Sequence, residues 1–149
     1  TKTRPAGEAL VRRILQGKDI PFINTFVDAY NLASASTGIA LAAFDLNQVS
    51  GDITLRTARR GERFRGIGMY TEKQLLGNEL VLADSKKVLA VYPYRDSEES
   101  KITLETRNAL LVVCGVPGIP NEYLDEAKEN AIKYIISMCG GIIAEEIYV

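Results

Sequence analysis

The hydrophobic period of this chain changes at Gly38, and that change limits the possible folds more than any other feature. Before it, Leu10, Val11, Ile14 and Leu15 recur at helical spacing, with Glu8 in the first turn and Gly17 placed as a stop. A second helix is expected from Asn24 or Thr25 through Phe26, Val27, Tyr30 and Ala33 to Gly38. After Gly38 the period is two, and residues 40–44, 53–56, 63–67, 80–83, 88–92 and 109–114 read as strands. Ser50-Gly51-Asp52, Arg60-Gly61-Glu62, Gly77-Asn78 and Gly115-Val116-Pro117-Gly118 separate them where antiparallel hairpins would turn. A closing helix begins at Pro120 and Asn121, carries a stripe of Leu124, Ala127, Ala131, Ile135 and Met138, and stops at Gly140-Gly141. Two helices, about six short strands and a helix make an α+β chain. The regular alternation that builds a parallel sheet is absent.

At 149 residues the chain suits a single domain, residues 1–149. It opens Thr1-Lys2-Thr3 without an initiator Met, which leaves room for an N-terminal truncation. It contains no His, so a Ser-His-Asp triad, a Cys-His pair and an imidazole-ligated zinc site are excluded by composition. Cys114 and Cys139 are too few for a disulfide framework or a metal knuckle, and each reads as a reduced, buried small hydrophobe. No apolar run approaches the roughly 20 residues of a membrane helix, and no leader pattern is visible. A cytoplasmic protein that does not engage a membrane is expected. Gly66-Ile67-Gly68 is half of a dinucleotide fingerprint and opens no helix, and no phosphate-loop pattern is present. Neither a cofactor nor a metal is therefore expected.

Charge is unevenly spread. Residues 1–75 carry eleven Lys and Arg against seven Asp and Glu, and residues 76–149 carry seven against twelve. Arg56, Arg59, Arg60, Arg63 and Arg65 fall within ten residues, a density suited either to RNA phosphates or to a solvated strand and turn. Asp28, Asn31, Asp45, Glu62, Arg95, Thr106 and Asn108 interrupt or flank apolar elements, where polar residues tend to face partners. Asp28 and Asn31 lie about one turn apart and can share a helix face, although both also suit an ordinary helix surface. Asp45 and Asp84, at strand ends, fit turn formers. In Tyr92-Pro93-Tyr94-Arg95 the proline implies an edge or bend, and the aromatic and guanidinium planes can stack on a base.

The order of these pieces resembles a known family. Phe22-Ile23-Asn24-Thr25-Phe26-Val27-Asp28-Ala29-Tyr30-Asn31, Gly38, Ala42-Ala43-Phe44-Asp45-Leu46 and Gly51-Asp52-Ile53-Thr54-Leu55-Arg56 are similar to the paired third and fourth domains of the phenylalanyl-tRNA synthetase beta subunit. Gly61-Glu62, Leu80-Val81-Leu82-Ala83-Asp84 and Thr106-Arg107-Asn108-Ala109-Leu110-Leu111 continue the pattern, so the resemblance is strongest over residues 20–114. Arg4-Pro5-Ala6-Gly7-Glu8-Ala9-Leu10-Val11-Arg12-Arg13 is similar to free-standing relatives of that module. The resemblance implies a β-sandwich of unusual topology flanked by helices, with a pocket for the aminoacylated 3′ end of tRNA and no role for DNA. It also implies hydrolysis of mischarged esters, chiefly by positioning water and the ester carbonyl. An aminoacyl ester is already activated, so such a site can work without an activated nucleophile.

Carried onto this chain, Asn31 becomes the candidate catalytic residue. The candidate substrate-binding set is Asp28, Asn31, Ala42, Glu62, Arg95, Thr106, Asn108 and Val112, and Arg56, Arg59, Arg60, Arg63 and Arg65 are candidates for RNA contact. The roles of Gly61, Glu62, Thr106 and Asn108 can equally be structural. Two positions depart from the family. Ala42 stands where the family typically has His, and Val112 stands where it has a Glu that reads the tyrosine hydroxyl; a valine cannot accept that hydrogen bond. Three readings stay open: a deacylase acting in trans, a non-catalytic module binding tRNA or an amino acid, and an unrelated small-molecule enzyme on the same scaffold.

Overall fold

The second helix shows how closely local sequence sets the frame. In the computed structural model, which describes residues 4–149, α2 spans Thr25–Thr37. Thr1-Lys2-Thr3 lies outside the described residues. Asn24 precedes α2 in an extended conformation, and its side chain accepts the Val27 amide at 3.0 Å, a cap that contributes about 1 kcal/mol. Gly38 ends the helix at φ 75°, a left-handed conformation suited to glycine, and its amide reaches the Ser34 carbonyl at 2.8 Å. Between the caps, Val27, Ala29, Tyr30, Ala33 and Ser34 are buried.

The preceding helix α1, Ala6–Leu15, crosses close to that C-terminal end. A Cβ placed on Gly7 would lie 2.8 Å from the Gly38 carbonyl oxygen, so the helix rests directly on backbone. Its Leu10 and Val11 are half-buried, whereas Ile14 and Leu15 are exposed.

Eight strands follow: β1 (Leu41–Asp45), β2 (Thr54–Thr57), β3 (Arg63–Phe64), β4 (Lys73–Gln74), β5 (Leu80–Ala83), β6 (Val88–Val91), β7 (Arg95–Asp96) and β8 (Ala109–Val113). β1 pairs antiparallel with β8, setting Ala42 opposite Val112 and Ala43 opposite Leu111. β2-β5-β6-β7 form an antiparallel sheet in that order, and β3 and β4 make a small hairpin. All five residues of β1 are buried because the β1-β8 ribbon is covered on both faces. Leu41, Ala43, Leu111 and Val113 pack against α2 and the closing helix α3, Asn121–Cys139. Ala40, Ala42, Phe44, Leu110 and Val112 pack against Leu82, Leu89 and Ala90 of the larger sheet. A third cluster around Phe64, Leu75, Val81 and Val88 fills the space beneath the β3-β4 hairpin. The result is an α+β fold in which a narrow ribbon and a wider sheet stack as unequal layers, flanked by helices.

Several sequence expectations are corrected. The strand expected over residues 63–67 pairs only as Arg63–Phe64, with one further bridge from Gly66 to Ser97. β4 and β7 were not expected, since two residues leave no alternation to detect. On α3 the buried stripe is Ala127 and Ala131, with Leu124 and Ile135 half-buried. Met138 and Cys139 are exposed, against the expectation that both are buried. The reason is length: α3 has 19 residues and α2 only 13. At about 1.5 Å per residue the last turns of α3 outrun the helix they pack on. Among the described residues no helix is long and apolar enough to cross a membrane.

Candidate functional site

Where α2 leans over the ribbon and the larger sheet, packing leaves a cavity of about 110 Å³. Tyr30 and Asn31 come from α2, Leu41 and Ala42 from β1, and Leu82 and Ala90 from β5 and β6. Residues 92–96, from the turn after β6 into β7, close one side, and Cys114 closes another. Tyr92 and Pro93 are joined by a cis peptide bond. The Pro93 carbonyl accepts the Ala6 amide at 3.2 Å, and the Tyr92 hydroxyl donates to the Gly115 carbonyl at 2.5 Å, so this turn is tied to α1 and to the end of β8. Arg95 is exposed and its stem lies along Gly66, close enough that an added Cβ there would clash with the arginine Cδ. The neighbouring strand residue, Asp96, belongs to the opposite face and turns inward.

Asp96 is the polar group that dominates the cavity. Its Oδ2 accepts the Ala43 amide at 3.3 Å. Burial raises its carboxyl to about 7, and that backbone hydrogen bond offsets only part of the rise. By accessible surface the residue is half-buried, since part of its surface opens onto the cavity it lines. Around it, burial and then the Asp96 charge push the Cys114 thiol up to about 12 and the Tyr30 phenol up as well. Burial, and next Cys114, raises Tyr92 to about 12. All three stay protonated at neutral pH.

The sequence-predicted residues are not all gathered there. Asn31, Ala42 and Arg95 line the cavity. Val112 faces Ala42 across the ladder and packs with Phe44 and Leu89, so these two side chains meet in one apolar patch. Asp28 lies in the first turn of α2, where its carboxylate accepts the Ile23 amide at 2.8 Å. Thr106 donates its hydroxyl to Asp45 at 2.8 Å and accepts the Thr103 amide at 2.9 Å. Asp45 also accepts the Asn47 amide at 2.9 Å, which makes it a turn former. Asn108 is exposed, and its carbonyl accepts the Leu46 amide at 2.9 Å. These contacts hold the strand ends of the ribbon together, away from the cavity.

Glu62 lies in a separate groove of about 300 Å³, lined by Thr54, Arg56, Arg59, Glu62 and residues 83–87. There it makes a two-pronged pair with Arg56 at 2.7 and 2.9 Å and accepts the Arg59 amide at 2.6 Å. The Arg56 hydrogen bond, helped by the Arg59 amide, holds the Glu62 carboxyl down to about 2 against the opposing effect of burial. Arg56 is thus spent within the fold, and Arg63 pairs with Glu72 at 3.4 Å. Arg59, Arg60 and Arg65 are exposed and, among the described residues, make no ion pair. Lys86 and Lys87, which sequence reading passed over, add positive charge to the groove from the turn after β5. Asp96 was passed over too, although it directly follows the Tyr-Pro-Tyr-Arg motif; a strand too short to show alternation gave no sign that it faces inward. Among the described residues no cluster of Cys, Asp and Glu is arranged to hold a metal ion.

Comparison with known proteins places this geometry in a family context. The model of the B3/4 domain matches residues 1–140. The phenylalanine–tRNA ligase beta subunit of Haemophilus ducreyi is 30% identical over 146 residues, a match covering 83% of this chain and 18% of that protein. The beta subunit from Dickeya dadantii is 35% identical over 154 residues, covering 88% of this chain and 19% of that one. The chain therefore spans less than a fifth of these relatives. An N-terminal fragment of the phenylalanyl-tRNA synthetase beta subunit from Pyrococcus horikoshii superposes with a TM-score of 0.56 over 67% of this chain and 34% of that chain, at 21% identity, a likeness of fold.

Proposed function

The chain belongs to the B3/4 domain family, and from that premise we propose that it binds tRNA, receives the aminoacylated 3′ end in the cavity beside Asn31, and hydrolyses a mischarged ester in trans. The observation that carries this reading is the cavity itself: an amide residue on a helix and an inward carboxyl on a strand share one recess with Arg95, tyrosines and apolar side chains. The ester supplies its own activation. The protein has to hold the carbonyl and a water in register and stabilise the oxygen as it gains charge, and the Asn31 amide is a donor suited to that task. Arg59, Arg60 and Arg65, with Lys86, supply unpaired positive charge for the phosphates, which makes binding sensitive to salt. Such work belongs to the cytoplasm, where charged tRNA is used.

The test is deacylation of a panel of charged tRNAs by wild type and Asn31→Ala. Release of amino acid from at least one substrate is expected, with the variant slower by roughly 100-fold, the loss typical of one missing donor at a developing oxyanion. Absence of acceleration on every substrate contradicts the hydrolytic part. A second reading, a module that binds the charged end without cleaving it, is favoured by one observation: Ala42 and Val112 stand opposite each other in an apolar cluster where the family pattern has two polar groups. Saturable binding of charged tRNA without hydrolysis would select it.

A further inference from the structure

Asp96 is absent from the motif pattern that points to Asn31, yet it is the acidic group that reaches the cavity. Its Oδ2 takes the Ala43 amide from β1, and among the described residues no lysine or arginine forms an ion pair with it. The charged and titratable groups nearest to it are Tyr30 from α2, Cys114 beyond β8, and Tyr92 and Arg95 on its own side. Tyr30, Tyr92 and Cys114 are held neutral, and Arg95 lies along Gly66 on the exposed side of β7. Arg95 also lines the recess but makes no ion pair with Asp96, and a largely buried carboxyl without an ion-pair partner is costly to ionise. The fold tolerates this cost by letting the group keep its proton up to about pH 7. A ligand that brings a cation removes the cost and gains a charge-assisted hydrogen bond.

Every aminoacyl ester carries such a cation in its α-ammonium group. Resting on the reading that the aminoacyl group enters this cavity, we infer that Asp96 receives the α-ammonium of the bound aminoacyl group, and that the amino acid is one with a small side chain. Size supports the second half. The cavity of about 110 Å³ is smaller than the roughly 150 Å³ void that takes up a benzene ring. With the amino acid backbone seated there as well, the remaining space suits a methyl or hydroxymethyl group better than a phenyl ring. Ala42 on the cavity wall matches that choice, since its side chain cannot hydrogen-bond a distal hydroxyl.

The experiment is a calorimetric titration of the full chain with alaninamide, N-acetylalaninamide and phenylalaninamide, repeated on Asp96→Asn. Binding of uncharged tRNA to the wild type is measured in parallel. Expected are binding of alaninamide, a loss of at least tenfold on N-acetylation, a similar loss in Asp96→Asn, and weaker binding of phenylalaninamide. N-acetylation leaves the protein untouched, so its effect does not depend on whether the variant folds. If alaninamide and its N-acetyl form bind alike, or phenylalaninamide binds best, the inference about Asp96 and small side chains is overturned and the cavity reading stands. If tRNA binds while none of the amides does, the cavity does not receive an aminoacyl group, and both fall.

Discussion

Asp96 carries a signature that stability measurements can read without any ligand. Its folded-state carboxyl sits at about 7, above the ordinary unfolded value of roughly 3.9. Between those values the folded chain holds a proton that the unfolded chain has released, so stability falls as pH rises through that window, by up to about 1.4 kcal/mol per unit. Glu62 acts with the opposite sign and elsewhere. Its carboxyl is held down to about 2 by Arg56, so its contribution is present above roughly pH 4.3 and is lost as pH falls towards 2. Urea unfolding midpoints from pH 4 to 8 should therefore decline for wild type and flatten for Asp96→Asn, which becomes the more stable chain near pH 8. Parallel profiles would mean that Asp96 is solvated. At this scale the sequence was readable where a residue acts on its own neighbours: Asn24 and Gly38 cap the helix they bracket, and Asp45 forms its turn. It named Glu62 as a substrate-binding or structural residue without showing which, because its partner Arg56 and its separation from the Asn31 cavity both depend on tertiary folding.

At the scale of elements, the strand β5 links the two candidate surfaces, with Leu82 lining the cavity and the next residue, Ala83, lining the groove. The groove runs along the β2-β5 pair, with Arg59 following the end of β2 at one end of the ladder and Lys86, in the turn between β5 and β6, following the end of β5 at the other. Charge reversal of both, Arg59→Glu with Lys86→Glu, should weaken tRNA binding by tenfold or more and reduce the slope of log K against log salt by about one to two. Unchanged affinity and slope would remove the groove from the interface. Arg56→Glu is a poorer probe, because it breaks the pair with Glu62 and disturbs the fold. Long elements with caps were legible in the sequence, and β5 matches its expected limits at residues 80–83. The two-residue strands β4 and β7 were not, since their pairing is fixed by the hairpins around them; β7 is the strand that delivers Asp96.

For the molecule as a whole, the order of motifs along the chain was enough to identify the family, while the shape of the cavity was not readable from it. A motif fixes which residues are present; the volume left between α2, β1 and the larger sheet depends on how Tyr30, Tyr92 and Cys114 pack around it. The same packing sets Ala42 on the cavity wall and puts Asp96 in reach of whatever enters. Determining the crystal structure with a non-hydrolysable 3′-alanylamido-3′-deoxyadenosine bound decides whether that space is the site. Expected is density for the alanyl group between Asn31 and Asp96, its ammonium within hydrogen-bond distance of the carboxyl and the nucleoside leading outward. A ligand seated elsewhere on the surface, with the cavity unchanged, would contradict the assignment.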